Sequence, residues 1–146
     1  MKISIGADHR GYSLKQTIIK GFTTIDWVDV GADSVERTDY PVFAQQVCQK
    51  ILSQEVEAGI LICGSGIGMS IAANRHKGIY AGLCWNAAVA SVAKQDDAIN
   101  VLVLPADFLD QEEAFAIIRA WLDAVCKGGV YLQRRAMIDQ QCKDSE

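Results

Sequence analysis

Residues 59–75 read GILICGSGIGMSIAANR, an apolar run that leads into a glycine-rich turn and then into helical spacing. A continuous apolar run such as 58–63 is typical of a central parallel strand that is covered on both faces. The glycines of the turn let the backbone approach a ligand closely, and a helix that begins there leaves unpaired N–H groups for an anion. The stretch therefore predicts a strand, an anion-binding turn and a helix.

Strands and helices alternate on both sides of this unit. Besides 58–63, apolar runs predict strands at 2–6, 24–30, 79–85 and 101–105. Helical spacing and breaker residues predict helices at 12–22, 41–52, 65–74, 86–94, 111–127 and 131–142. Five strands that alternate with helices indicate a three-layer α/β/α sandwich with a five-stranded parallel sheet, a Rossmann-like fold, in a single domain over 1–146.

The composition excludes several classes of protein. Of the 146 residues, 50% are hydrophobic and 22% are charged, the formal net charge is −4, and the basic residues are scattered. This is ordinary globular composition, and no nucleic-acid surface is expected. The N-terminus lacks a signal-peptide pattern and no window approaches about 18 apolar residues, so we expect a soluble, cytoplasmic protein without membrane contact.

Cysteine spacing excludes a disulfide framework and a zinc site. The five cysteines are an odd number without paired spacing, and neither a CxxC nor an HxxxH pattern occurs among them and the two histidines. We therefore expect free thiols, no metal and no cofactor.

Cys63 stands at the predicted strand end, directly before the glycine turn. Ligands of parallel sheets bind outside the carboxyl ends of the strands, and a helix N-terminus favours a thiolate there. A lone cysteine in a strand is more often a small buried hydrophobe, so both interpretations stay open. Because residue 69 is Met, the turn is neither a G-x-G-x-x-G dinucleotide motif nor the C-x5-R loop of a cysteine phosphatase.

Several motifs in a fixed order link the chain to a known family. They read IGADHRGYSLK, GADSVERTDYPVFA, GILICGSGIGMSIAANRHKGI, NVLVLPAD and GGVYLQRR. Over nearly its whole length the sequence resembles the sugar-phosphate isomerase family of ribose-5-phosphate isomerase type B and galactose-6-phosphate isomerase. The resemblance implies interconversion of an aldose phosphate and its ketose through a cis-enediol, without a cofactor. It also implies a homodimer or homotetramer whose sites combine two subunits, with helix 131–142 at the dimer interface.

The same resemblance implies roles for individual residues. Cys63 is the proton-transferring base, and Ser65 together with the N–H groups of the turn stabilises the charge that develops on oxygen. The residues expected to bind the substrate are Asp8, His9, Tyr40, Gly64, Gly66, Ile67, Gly68, Asp97 and Arg134. Simpler roles exist for some of them, because Asp8 can cap the first helix and Arg134 can lie on a solvated helix face.

The chain departs from the family pattern in one half of the site. Asp96 stands where the family has a histidine that helps to open the sugar ring, and Asp97 stands where it has a ligand-binding asparagine. A carboxylate at Asp96 can accept a proton from a ring hydroxyl, but it cannot donate one at neutral pH without a large rise of its pKa. We therefore place Asp96 among the catalytic residues and expect slower or differently arranged ring opening.

Two phosphate-binding arginines of the family are replaced by Asp107 and Val130. Unless Arg10, Arg75 or Arg135 compensates, ribose 5-phosphate should bind weakly relative to some other sugar, because an Arg-to-Asp change reverses the sign of a charge in the pocket.

Three functions follow from these features. The first is an active isomerase with an altered specificity, and the retained Cys63 and Ser65 favour it. The second is a catalytically weakened, isomerase-like sugar-binding or regulatory subunit, because the substitutions cluster in one half of the site. The third is a flavodoxin-like redox or phosphotransfer module, which is disfavoured because no second cysteine neighbours Cys63.

Overall fold

The computed structural model describes residues 1–143, which form a parallel sheet with helices on both faces. The strands are β1 (Lys2–Ala7), β2 (Asp26–Asp29), β3 (Ala58–Cys63), β4 (Ala81–Leu83) and β5 (Val101–Pro105). The helices are α1 (Tyr12–Gly21), α2 (Tyr40–Leu52), α3 (Ile67–Asn74), α4 (Ala87–Asp97), α5 (Gln111–Asp123) and α6 (Val130–Lys143), with a short 3-10 helix at Ala106–Phe108. The predicted five-stranded α/β/α fold is confirmed.

The strand order decides which loops meet. The sheet runs β2-β1-β3-β5-β4 and every neighbouring pair is parallel. The chain adds β2 on one side of β1 and adds β3, β5 and β4 on the other side, so the direction in which strands are added changes between β1 and β3. Such a switch point is where open parallel sheets bind ligands. Register pairs Ala7 with Ile62 and Cys63 with Pro105, so the carboxyl ends of β1, β3 and β5 lie side by side.

Alternate side chains of β3 supply the two halves of the core. Ile60 and Ile62 belong to a buried cluster that includes residues of α1, α4 and α5. Leu61 and Cys63 point to the other face, into a cluster with residues of α2 and α3. A strand whose every residue is buried in this way explains the unbroken apolar run that the sequence shows.

Some predicted boundaries were wrong by a few residues. Helix α3 begins at Ile67 rather than at 65, because Gly66 before it adopts a left-handed φ of +74°. Helix α5 ends at Asp123 rather than at 127, because Ala124 is extended. Strands β2 and β4 are shorter than the predicted 24–30 and 79–85, since only part of each apolar run pairs with a neighbouring strand.

A buried ion pair fixes the loop that follows β2. The Lys15 side chain is completely buried, and its Nζ donates to both carboxylate oxygens of Asp29, at 2.5 and 2.7 Å. Asp29 also accepts a hydrogen bond from the N–H of Gly31, and the Gly31 carbonyl accepts one from Ala7 at the end of β1. The pair therefore holds the β2 loop against the strand end that carries the site.

Replacing Lys15 by Met is expected to lower the free energy of unfolding by about 2–3 kcal/mol. Loss of one partner from a buried pair costs about 3–5 kcal/mol, and the exposure of one third of the Asp29 side chain reduces this. Urea unfolding measures the change, with Lys20→Met as a control on the exposed face of the same helix. Equal stability of Lys15→Met and the unmodified protein would contradict the role given to this pair.

Candidate active site

Cys63 is held at the end of β3 by the turn that follows it. Its Sγ accepts a hydrogen bond from the N–H of Gly66 at 3.2 Å, and the residue is 5% exposed. An N–H directed at sulfur near a helix N-terminus stabilises negative charge on that sulfur. Cys63 thus combines the two features considered from sequence, because it is buried among apolar residues and it also faces the amides of the turn.

The other buried thiols lie in different surroundings. Burial raises the pKa of Cys48 to about 11, and burial alone raises the pKa of Cys84 to about 11. Thiols with such pKa values stay protonated at neutral pH and are poor nucleophiles.

Cys48 and Cys84 are therefore expected to resist alkylation by iodoacetamide at pH 8 in the folded protein. Their reactivity should rise only as the pH approaches 11, because the thiolate forms there. Mass spectrometry of the alkylated peptides measures this, and the urea-unfolded chain is the control in which both residues react. Rapid alkylation of either residue in the folded protein would show that its surroundings are not those described.

Asp8 lies directly beside Cys63. Its N–H donates to the carbonyl of Ile62 at 3.2 Å, across the switch point between β1 and β3. Its Oδ1 accepts hydrogen bonds from the N–H groups of Arg10 and Gly11, at 3.0 and 3.1 Å. The residue is 6% exposed, so a nearly buried carboxylate shapes the β1 loop at the strand end next to Cys63.

His9 connects two loops of this edge. Its N–H donates to Oγ1 of Thr38 at 3.1 Å, and its Nδ1 accepts from the N–H of Thr38 at 3.3 Å. A neutral imidazole that accepts at Nδ1 carries its proton on Nε2, which is then a donor. Thr38, whose role the sequence did not predict, therefore orients this histidine.

Tyr40 lies against the first turn of α3. A Cβ built at Gly68 would stand 2.6 Å from Cζ of the Tyr40 ring, so a side chain at residue 68 would have to push this ring aside. Ser65 accepts a hydrogen bond from the N–H of Ile67 at its Oγ, at 3.2 Å. The structure thus places Tyr40 against the 64–68 turn that follows Cys63.

An ion pair that the sequence did not predict covers the start of the turn. Arg10 donates from Nη2 to Oδ2 of Asp107, and a Cβ built at Gly64 would lie 2.6 Å from Arg10 Nε and 2.7 Å from Asp107 Oδ2. The N–H of Asp107 also donates to the Gly64 carbonyl at 3.0 Å. The two residues are 97 positions apart in the chain, so no local pattern pointed to their contact.

Asp97 and Arg134 lie at the opposite edge of the sheet, where the strands begin, whereas Cys63 lies at the edge where the strands end. Helix α4 ends at Asp97, just before Val101 begins β5, whereas Cys63 pairs with Pro105 at the far end of that strand. The length of β5 separates the two edges by about 13 Å at roughly 3.3 Å per residue. Asp96, at the same helix end, accepts a hydrogen bond from Lys127 Nζ at 2.7 Å. One subunit therefore does not bring these three residues to its own Cys63.

Asp97 and Arg134 instead line a cavity of about 660 Å³ between residues 74–82 and α6. Tyr80 donates its hydroxyl to Asp139 at 2.6 Å, and the guanidinium of Arg135 lies 4.4 Å from the Tyr80 ring centre. Arg75 and Arg135 both line this cavity. Of the three arginines considered as compensation for the lost phosphate ligands, Arg10 is therefore the one beside the turn.

Two features are absent from residues 1–143, the part of the chain that the structure describes: a membrane-spanning helix and a cluster of metal ligands. No helix in this range is both long and apolar enough to span a bilayer. In the same range, no three side chains of His, Cys, Asp or Glu are grouped so that they could hold a metal ion.

Comparisons with known proteins agree with the geometry. The sequence model of the family described as Ribose/Galactose Isomerase matches residues 3–138. Ribose-5-phosphate isomerase B of Escherichia coli K12 is 42% identical over 135 residues, which cover 91% of each chain.

Solved structures show the same fold over the whole length. A ribose 5-phosphate isomerase from Thermotoga maritima is 41% identical, with a TM-score of 0.94 over 95% of this chain and 97% of that one. Ribose-5-phosphate isomerase B from Mycoplasma genitalium, solved with bound ribulose-5-phosphate, is 36% identical, with a TM-score of 0.92 over 97% of this chain and 96% of that one. The family resemblance expected from the motifs is confirmed: the chain belongs to the ribose/galactose isomerase family and is an aldose–ketose isomerase.

Proposed function

We propose that the protein interconverts an aldose phosphate and its ketose phosphate, of the ribose 5-phosphate and ribulose 5-phosphate type, with Cys63 as the base. The observation that carries the proposal is the Cys63 sulfur, which accepts the Gly66 N–H at the carboxyl edge and neighbours Asp8. The relative from Mycoplasma genitalium, whose structure holds ribulose-5-phosphate, supports this class of substrate.

The proposed reaction moves one proton between adjacent carbons. The Cys63 thiolate removes the proton from the carbon next to the carbonyl, and the electron pair of that bond moves to the oxygen to give a cis-enediolate. The N–H groups of the turn and the Ser65 hydroxyl stabilise this charge, and one such donor is typically worth about 3 kcal/mol. The proton of the neighbouring hydroxyl passes to the enediolate oxygen, and the thiol returns its own proton to the carbon that carried the original carbonyl. The second carbon becomes the new carbonyl, so no oxidant, reductant or metal is consumed.

Other residues at the edge that carries Cys63 position the sugar. The Nε2–H of His9 is a donor, Tyr40 lies over the helix turn, and Asp8 offers a carboxylate to hydroxyl groups. Asp96, in place of the family's histidine, lies at the opposite edge of the sheet and so acts in the site of a second subunit. There it accepts the proton of the anomeric hydroxyl as the sugar opens, while water protonates the ring oxygen. The Oδ1 of Asp96 accepts a hydrogen bond from Lys127 Nζ at 2.7 Å.

We infer that a complete site combines two subunits. Helix α3 begins at the turn beside Cys63 and ends at Asn74, which lines the cavity at the other edge. Its length of about 12 Å is close to the distance between the two edges. Ile67 and Ile71, four residues apart on one face of α3, are 56% and 57% exposed, and such a face favours burial against a partner.

A pairing of α3 with the same helix of a second copy is antiparallel when the two-fold axis is perpendicular to the helices. It sets the turn of one subunit against the cavity of the other, so that Asp97 and Arg134 of one subunit complete the site around Cys63 of its partner. The exposed apolar residues of α6, namely Val130, Leu132, Met137 and Ile138, support the predicted place of this helix at the dimer interface. A homodimer is the smallest assembly that satisfies these contacts, and a homotetramer is a pair of such dimers.

A substrate panel tests the proposed reaction. Ribose 5-phosphate, galactose 6-phosphate, ribose and galactose are incubated with the protein and a chelator, and ketose formation is followed. We expect conversion of at least one aldose phosphate and, because of Asp107 and Val130, weak affinity for ribose 5-phosphate. A low-micromolar KM for ribose 5-phosphate would contradict the second expectation.

Failure to convert any aldose of the panel, with sugar binding retained, would contradict the proposed reaction. It would favour the alternative of a catalytically weakened sugar-binding or regulatory subunit. The cytoplasmic location expected from the sequence remains a prediction.

A further inference from the structure

We propose that Asp107 masks Arg10, and that this ion pair sets how strongly the site prefers an anionic substrate. Arg10 is the arginine of this subunit that lies beside the turn after Cys63, and the carboxylate of Asp107 would compete with a bound phosphate for its guanidinium. The inference rests on the proposed function only in taking the turn after Cys63 as the substrate site.

The position of the pair places it in that site. Both side chains crowd Gly64, the residue that follows Cys63, at 2.6 and 2.7 Å from where a Cβ would stand. Backbone contacts fix both partners, because the N–H of Arg10 donates to Asp8 and the N–H of Asp107 donates to the Gly64 carbonyl. A ligand bound at the turn therefore contacts this pair on the side of the site that faces β5.

The pair is accessible rather than buried. The side chain of Arg10 is 58% exposed and that of Asp107 is 33% exposed, so water or a ligand can reach both groups. A guanidinium binds a carboxylate or a phosphate through the same fork of N–H donors. A phosphate can consequently displace Asp107 from Arg10, but it must do so against the attraction of the pair and the repulsion of the carboxylate.

Other arginines do not take over this role within the same subunit. Arg75, Arg134 and Arg135 line the cavity at the opposite edge of the sheet. Together, Arg10 and Asp107 are formally neutral and offer donors and acceptors side by side, which suits hydroxyl groups as well as anions. The pair is thus a specificity determinant that lowers the preference for a phosphorylated sugar end.

A double-mutant cycle on ligand binding tests the masking. Isothermal titration of the full-length protein measures inorganic phosphate, ribose 5-phosphate and ribose against the unmodified chain, Asp107→Asn, Arg10→Gln and the double variant. Asp107→Asn is expected to bind inorganic phosphate and ribose 5-phosphate at least about 10-fold more tightly, with ribose binding changed less than about 2-fold. In the Arg10→Gln background, the same change should gain less than about 3-fold, because no guanidinium is left to unmask.

Two results would overturn the proposal: no gain from Asp107→Asn, or an equal gain with and without Arg10, which would mean a general effect of charge. Glu112→Gln, which removes one carboxylate from the first turn of α5, is the matched control and should leave phosphate affinity unchanged. Asp107→Ala provides a second test of unmasking, and circular dichroism checks that each variant is folded.

The binding test does not depend on turnover. If the panel of aldoses is not isomerised but the cycle gives the expected pattern, the masking stands and the proposed reaction falls. If isomerisation is observed and Asp107→Asn binds phosphate no more tightly, the masking falls and the proposed reaction stands.

Discussion

Replacing Cys63 by Ala is expected to lower kcat for aldose phosphate isomerisation by about 10²- to 10⁴-fold, because a positioned base contributes a factor of that order. The reason is local: its Sγ accepts the Gly66 N–H at the mouth of the turn, and alanine leaves no group there that can take a proton. Steady-state rates of ketose formation measure the effect. KM is expected to change little, since the groups that hold the sugar remain.

A matched cysteine variant separates this effect from general damage. Cys126→Ala removes a partly exposed thiol that lies outside the turn, and it should keep the kcat of the unmodified protein. Cys63→Ser keeps the shape of the side chain but supplies a poor base, so it should resemble Cys63→Ala. Full activity of either Cys63 variant would remove the thiol from the mechanism.

The second large effect concerns two inactive variants that restore activity when mixed. Cys63→Ala lacks the base, and Arg134→Gln lacks the arginine at the opposite edge of the sheet. If a site combines both edges from different subunits, a heterodimer of the two variants contains one intact site and one doubly altered site. Random exchange of subunits makes about half of the dimers heterodimers, so the mixture should regain about a quarter of the unmodified activity.

The mixing experiment has a clear contrary outcome. Variants co-expressed with different tags, or exchanged in mild urea, are assayed after recovery of the mixed species. An activity no greater than the sum of the two parents would mean that Cys63 and Arg134 do not act in shared sites. Ile71→Asp in either parent is the control, because a charge on the exposed apolar face of α3 should prevent association and abolish the rescue.

The fold was predictable because its signals are local. The unbroken apolar run of β3, the glycine turn and the alternation of strand and helix each depend on neighbouring residues, and they gave the correct architecture. The strand order was not predictable, because register between β1, β3 and β5 depends on contacts that no local pattern encodes. The lengths of short strands such as β4 were overestimated for the same reason.

The candidate site was predictable only in part. Motifs identified the turn, Asp8, His9 and Tyr40, and the structure brings these together at one edge. The sequence could not choose between Arg10 and two other arginines, because that choice depends on a contact across 97 residues. The sequence also did not show that Asp97 and Arg134 lie far from Cys63 within one subunit, because that distance follows from the direction of α3 and the length of β5.

The central claim is that the Cys63 thiol carries a proton between two sugar carbons. Proton nuclear magnetic resonance of an aldose phosphate in deuterated water measures it directly, since a thiol that exchanges with solvent delivers deuterium to the carbon it protonates. The unmodified protein is expected to incorporate deuterium at the two interconverting carbons as isomerisation proceeds, and Cys63→Ala is expected to incorporate none above the buffer rate. Incorporation by folded Cys63→Ala at the rate of the unmodified protein would contradict the account.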